Sequence, residues 1–361
     1  MNREASEASR RTTSLRSYVR RLMLWSFLFW LFFLWSSAVV GYRWLGSDGL
    51  VSRPLTLFMT AWSAFFVGFI CHLSASLHPR RRLLIGRLEP TADEWRALEP
   101  VRIGEAGSRG GLWSGCVLLG LALAAILGAV QLGLSCIGRL PGYPRPAYVF
   151  YTALLPAICV PPAVAWSARR SLKRFVRAME SGRTLQLRRR RYVIAHNVIP
   201  YCLFNAAAGL VVAFSRFMPY YLSGRPIPAH QISLHLAITA MVISLLVVGA
   251  ARFKTRVDHL SPIVLTDGPA RSLRARWRIG YALAAPFATY LALRLGFFLA
   301  DAEQLDAQTA ILLKVPVCLL LSLLTSYWAV TSVLERMEEV GLDRHPYVRF
   351  HRYLKATGRL G

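Results

Sequence analysis

Long apolar runs alternate with short basic segments along the 361-residue chain. A bilayer core about 30 Å thick takes roughly 20 apolar residues of helix. Eight runs are long enough: Leu22–Trp44, Leu55–Leu77, Leu112–Gly138, Ala147–Trp166, Tyr192–Phe217, Gln231–Ala251, Ile279–Ala300 and Thr309–Leu334. Lipid offers no partner to backbone N–H and C=O groups, so the runs predict helices. They are continuously apolar rather than alternating, which excludes a transmembrane β-barrel. The expected fold is all-α, a polytopic membrane protein with eight transmembrane helices. The first run outlasts the 7–15 apolar residues of a signal peptide, and no small-x-small cleavage site follows it. It predicts an uncleaved first helix.

Composition agrees with this class. Hydrophobic residues make up 55 % and charged residues 17 %, where a soluble domain carries about 25 % charged residues. Disorder, collagen-like repeats, coiled coil and small disulfide scaffolds fall away on the same grounds.

The net charge of +26 suggests a nucleic-acid binder until its placement is read. Of 44 Lys and Arg, 36 lie in the N-terminal tail, in Arg80–Arg109, Arg169–Arg191 and Arg252–Arg278, and in the C-terminal tail. The opposite loops hold 6: Arg43, Arg53, Arg139, Arg145, Arg216 and Arg225. Arg294 and Lys314 fall within spans. This positive-inside asymmetry places both termini in the cytoplasm of a cytoplasmic (inner) membrane. The basic surface then meets the anionic inner leaflet, so membrane lipids are the expected partners. No zinc, aromatic or helix-turn-helix motif supports nucleic-acid binding. Forty Arg against four Lys hints at a GC-rich bacterial source.

The spans divide four and four. The chain reads as a basic tail, 1–21; a first membrane half, 22–191; a second, 192–335; and a cytoplasmic tail, 336–361. Two such halves would be parallel repeats. Local matches are faint: Trp166, Leu172 and Arg174 share the spacing of Trp328, Leu334 and Arg336. Pro90 followed by Asp93 and Glu94 predicts a short surface helix. After span four, Leu172, Phe175, Val176 and Met179 recur at helical spacing among basic residues. This amphipathic stretch suits the inner leaflet, a protein partner at the cytoplasmic face, or an ordinary helix end.

Charged residues inside a membrane are candidate functional groups. Arg294 and Lys314 both fall toward the outer side, on spans joined by a short loop. They predict an anion-attracting pocket, or else snorkelling toward the interface. Span five is the most polar: Asn197, Tyr201, Asn205, Gly209 and Ala213 recur every fourth residue, with His196 and Pro200 beside them. This face suits a ligand near a Pro-loosened helix, or a tight helix–helix seam. Cys116, Gly120, Ala124 and Gly128 predict a plainer seam in span three. Pro161-Pro162 predicts a break or bend in span four.

His72 and His196 fall near the inner side and His230 and His235 near the outer, so their depths argue against most haem or metal combinations, and a lone histidine in a span reads as hydrogen-bonded structure. Cys71, Cys116, Cys136, Cys159, Cys202 and Cys318 all fall in apolar runs and read as small hydrophobes, so no cofactor or metal is expected. No Asp or Glu lies deep in a span, which argues against a carboxylate-driven pump. No H-E-x-x-H, G-x-S-x-G or Walker motif is present.

Three function classes fit. The leading one is a transporter or lipid-handling protein for an anionic small molecule or lipid headgroup, with Arg294, Lys314, Asn197, Tyr201, Asn205 and His196 as substrate-binding residues. The second is a non-catalytic sensor or scaffold acting through the basic cytoplasmic surface. The third is an intramembrane enzyme on a lipid-linked substrate, for which no acid–base pair is visible.

Overall fold

The computed structural model describes residues 13–45, 50–84, 87–88, 90–98, 112–135, 142–180, 185–259, 263–265 and 278–338. The tail up to residue 12, the C-terminal stretch from 339, Cys136 and Arg139 lie outside these residues, as does the side chain of Met179. The described chain is helical almost throughout. Among the described residues, seven helices are long and apolar enough to cross a membrane: Leu15–Arg43, Arg53–Leu84, Leu112–Leu134, Arg145–Val176, Arg189–Ser223, Ala229–Asp258 and Ala307–Glu335. The remaining expected span is a helix, Arg278–Leu299, of which Ala284–Leu299 counts as a shorter apolar stretch. The protein is thus an all-α, multi-pass type by helix length and composition.

The chain forms two compact units that divide between Arg183 and Thr184. The first contains α1 (Leu15–Leu45), β1 (Leu50–Ser52), α2 (Arg53–Leu84), the short α3 (Ala92–Leu98), α4 (Leu112–Ser135) and β2 (Gly142–Pro144). It ends in a segmented helix: α5 (Arg145–Val149), a π-helical turn (Phe150–Leu154), α6 (Leu155–Ile158) and α7 (Val160–Glu180). Here α1 packs on this segmented helix, the segmented helix on α2, and α2 on α4. β1 pairs antiparallel with β2, Val51 opposite Tyr143. At the opposite ends of the helices, Thr13 bridges Leu88 in parallel.

The second unit contains β3 (Leu185–Leu187), α8 (Arg189–Val193), a π-helical turn (Ile194–Val198), α9 (Ile199–Ser223), β4 (Ile227–Pro228) and α10 (Ala229–His259). β5 (Ile263–Leu265), α11 (Arg278–Leu299), β6 (Gln304–Leu305) and α12 (Ala307–Glu338) complete it. Here α9 packs on α12, α12 on α10, and α10 on α11. β4 pairs antiparallel with β6, Ile227 opposite Leu305, and β3 runs parallel to β5. The order of neighbours, first–fourth–second–third, is the same in both units. So is the antiparallel clasp on one side and the parallel pairing on the other.

Local chemistry sets the helix ends. Thr91 and Glu94 form a capping box on α3: Glu94 N donates to Thr91 Oγ1 at 3.3 Å, and Thr91 N to Glu94 Oε2 at 2.9 Å. Asp306 caps α12, accepting from Thr309 N at 2.8 Å and from the Thr309 hydroxyl at 2.6 Å. Those two bonds hold its carboxyl below the usual range. Gly224, with φ of 64°, ends α9 in the left-handed conformation. Asp301 does the same after α11 with φ of 49°, and Ala302 N returns to Phe297 O at 2.9 Å.

Pro161-Pro162 sit in the first turn of α7, immediately after a tight turn at Cys159, whose N–H reaches Pro156 O at 3.1 Å. The expected interruption of span four is therefore present. In the predicted span-three seam, Cys116 is fully buried, and Gly120 meets α2 backbone to backbone at Gly68. Leu172, Phe175 and Val176, the apolar stripe after span four, are buried within the first unit.

Candidate functional site

Lys314 projects from α12 into the second unit and is fully buried. It lies seven residues past the start of that helix, about 10 Å along its axis at 1.5 Å per residue. Its Nζ is 2.7 Å from Nε2 of His235 on α10. His235 lies at a similar distance from the β4 end of its own helix, so the two meet at one depth. The Phe217 ring on α9 packs against the imidazole edge-on, at 5.0 Å between centroids. Cys318, one turn beyond Lys314, faces Gly209 of α9. A Cβ on Gly209 would run into Cys318 Sγ and come within 3.7 Å of Lys314 Cε. The glycine thus lets α9 close over the amine.

An ammonium is a donor without a lone pair, so it can bond His235 only when Nε2 carries a lone pair. Two fully protonated groups would leave this hydrogen bond without an acceptor. The couple therefore holds at most one positive charge while the bond persists. Among the described residues no carboxylate pairs with Lys314. A buried lysine in an apolar helix is costly, up to about 2.5–3.5 kcal/mol at the centre of a span on insertion scales, so such a group is an expensive one to keep.

A second polar cluster occupies the opposite end of the same unit. Lys254 Nζ donates to Asp258 Oδ2 at 2.6 Å and to Asn197 Oδ1 at 2.9 Å. The Tyr192 hydroxyl donates to Asp258 Oδ2 at 3.1 Å, and Asn197 Nδ2 to Tyr192 O at 3.0 Å. Lys254 also stands 5.6 Å over the Tyr192 ring. Asn197 sits in the π-helical turn Ile194–Val198, and the wide turn carries it into the interior, where it is fully buried. These bonds link the side chains of Lys254, Asp258, Asn197 and Tyr192 to one another, which suits a structural closure of that end.

The six residues expected from sequence are thus distributed rather than gathered. Lys314 is in the couple with His235, and Asn197 is in the cluster with Lys254. Tyr201 is buried and its carbonyl accepts from Asn205 Nδ2 at 2.9 Å, along the α9 seam. Gly209 and Ala213 continue that seam against α12. His196 and Arg294 are exposed. The neighbours Leu293 and Phe297 pack inward on the unit's apolar core, and this turns Arg294 outward on α11. The group that the Lys314 amine meets is the His235 imidazole from α10, and Arg294 takes no part in the couple.

Sequence reading did not find His235 as a partner, nor Tyr192, Lys254 and Asp258 as a cluster. The Lys254–Asp258 spacing of four along a helix is a readable signal. The His235–Lys314 contact joins residues 79 apart and has no local signature.

The first unit has its own polar seam. His72 Nδ1 lies 3.0 Å from Ser167 Oγ, Ser171 Oγ donates to Ser76 O at 3.0 Å, and Arg80 Nε reaches Ser171 Oγ at 2.7 Å. These bonds join α2 to α7. Among the described residues, no three His, Cys, Asp or Glu side chains come together as a metal site. Comparison with protein families, with curated proteins and with solved structures gave no match.

Proposed function

We propose that the protein is an eight-span inner-membrane protein, with both termini cytoplasmic, that binds an anionic small molecule or lipid headgroup for transport or lipid handling. The observation that carries this reading is Lys314: a fully buried amine, bonded to an imidazole and paired with no described carboxylate. A cation held this way lacks its counter-charge, and an anion supplies it. The basic bias of one set of loops supports the orientation. The shared neighbour order of the two units supports two parallel four-helix repeats. The exposed Leu312 and Leu320 on α12 give the helix carrying the amine a lipid-facing side.

Native mass spectrometry of the detergent-purified protein beside Lys314→Met tests the assignment. An anionic lipid or metabolite bound to the natural protein and lost from the variant is expected. The same adduct in both, or in neither, would remove Lys314 from the site.

A further inference from the structure

The second and fourth helices of the two units match in register, and the match isolates the Lys314–His235 couple. The sequence separation between Trp166 and Trp328 also relates β2 to β6, Gly142 with Gln304 and Tyr143 with Leu305. It relates the helix starts Arg145 and Ala307. It pairs buried Tyr148 with buried Ala310, Val164 with Ser326, and Leu172 with Leu334. The strand registers give a second, independent separation. Val51 opposite Tyr143 and Ile227 opposite Leu305 make Val51 equivalent to Ile227. The same step relates the starts of α2 and α10 and pairs buried Thr56 with Ile232, Thr60 with Leu236 and Ala64 with Ala240.

On these registers Lys314 corresponds to Thr152 and His235 to Met59. Thr152 is buried and satisfies its hydroxyl within its own helix, at 2.7 Å from Tyr148 O. The four-helix unit therefore packs at these two positions without an amine or an imidazole. The first unit acts as an internal control: the fold does not need the charged couple that the second unit keeps.

We infer that Lys314 and His235 form a proton-linked oxyanion site, in which a phosphate-type anion and a proton bind together. The inference rests on the anion reading above and names the co-bound ion. The couple shares one proton between two basic nitrogens, as coupled groups do. An anion oxygen entering beside Lys314 Nζ offers the ammonium an acceptor in place of His235 Nε2. The ammonium then turns its hydrogen bond to the anion, and His235 Nε2 is released to take a proton from solvent. A phosphate group entering as its monoanion together with one proton brings no net charge into the low-dielectric site. The ionisable groups around the couple are Arg216 on α9, which acts electrostatically on His235, and Cys318 on α12 beside Lys314. The exposed Arg294 is on α11, which packs against α10. None of these is a carboxylate that would supply the counter-charge.

The test is titration calorimetry of the full-length protein in detergent, with glycerol 3-phosphate as soluble probe, in buffers of different ionisation enthalpy. A second arm uses nanodiscs with and without phosphatidylglycerol, reading bound lipid by mass spectrometry. Uptake of about one proton per anion is expected in the natural protein. His235→Met and Lys314→Thr install the residues of the first unit, so both are expected to fold. His235→Met should bind with proton uptake abolished, and Lys314→Thr should bind about tenfold more weakly or worse. Binding in the lipid arm alone assigns a headgroup; binding in the soluble arm assigns free phosphate. Anion binding without proton uptake, or uptake unchanged in His235→Met, would overturn the linkage and leave the anion site standing. No binding in either arm would overturn both.

Discussion

Gly68 of α2 and Gly120 of α4 bring two helix backbones into direct contact: a Cβ on Gly68 would lie 2.8 Å from Gly120 Cα and 2.9 Å from Gly120 N. Small residues at such crossings replace the hydrophobic driving force that lipid does not provide. Backbone cannot swing aside, so Gly68→Ala must separate the helices. It is expected to cost about 1–3 kcal/mol, read as a lower unfolding temperature in detergent. Gly133→Ala, on the same helix as Gly120 but with nothing within 4 Å of its Cβ, is the control. Its stability should be unchanged or raised by up to about 1 kcal/mol.

Glu94 ties the surface helix α3 to the start of α1. Its carboxylate accepts from Leu15 N at 3.1 Å and from Arg16 N at 2.6 Å, two donors with no partner inside α1. Burial pushes its pKa up, but the N–H groups of Thr91, Arg16 and Leu15 and the Thr91 hydroxyl outweigh this and lower it. A carboxyl with a lowered folded pKa stabilises above its unfolded pKa, about 4.3, and that contribution is lost as pH falls through the folded value. The α1–α3 junction should therefore loosen on acidification below that range. Lower protection of the Leu15 and Arg16 amides, taken against the intrinsic exchange rate at each pH, would report it, and Glu94→Gln should show the same loosening at neutral pH. Exchange that is insensitive to both changes would break the link.

The Lys254–Asp258 pair predicts an asymmetry between single and double variants. Lys254→Met leaves Asp258 with the Tyr192 hydroxyl and without its cation, and should cost about 3 kcal/mol. Lys254→Met combined with Asp258→Leu removes both charges, and should cost less than the single change. A double variant whose loss equals the sum of the singles would show that the two do not interact.

The proposed orientation predicts a labelling pattern in intact cells. A cysteine placed at Glu303, beside the β4–β6 clasp, should react with a membrane-impermeant maleimide. A cysteine at Asp93 on α3 should react only after the cells are opened. The reverse pattern would invert the topology.

Much of the fold was legible because lipid imposes one backbone solution on an apolar run. Trp44 and Leu334 fall in helices, as the hydropathy of their neighbours requires. Helix ends were less legible. The run that begins at Gln231 stops being apolar at Ala251, yet α10 continues to His259, where Asn197, Tyr192 and Asp258 satisfy Lys254. The Trp166 and Trp328 spacing was a visible trace of the shared register. The couple itself was half legible. Lys314 stood out as a charge in an apolar run, but its pairing with Arg294 assumed that two residues near one loop face each other. Leu293 and Phe297 fix the rotation of α11 the other way. His235 came into reach only through the packing of α10 on α12, which hydropathy does not encode.

The wide turn at Ile194–Val198 has a consequence for the rest of its helix. Before it, Leu15 and Val19 match buried Arg189 and Val193; after it, Leu34 and Ala38 match Gly209 and Ala213 only if one residue is skipped. One residue of α-helix is a rotation of about 100°, so the turn acts as a phase shifter between the two ends of one rod. Upstream, the rod aims Tyr192 at Lys254; downstream, it presents Gly209 to Lys314. A deletion of Ala195 would restore a uniform helix and leave only one of these two faces aligned with its partner.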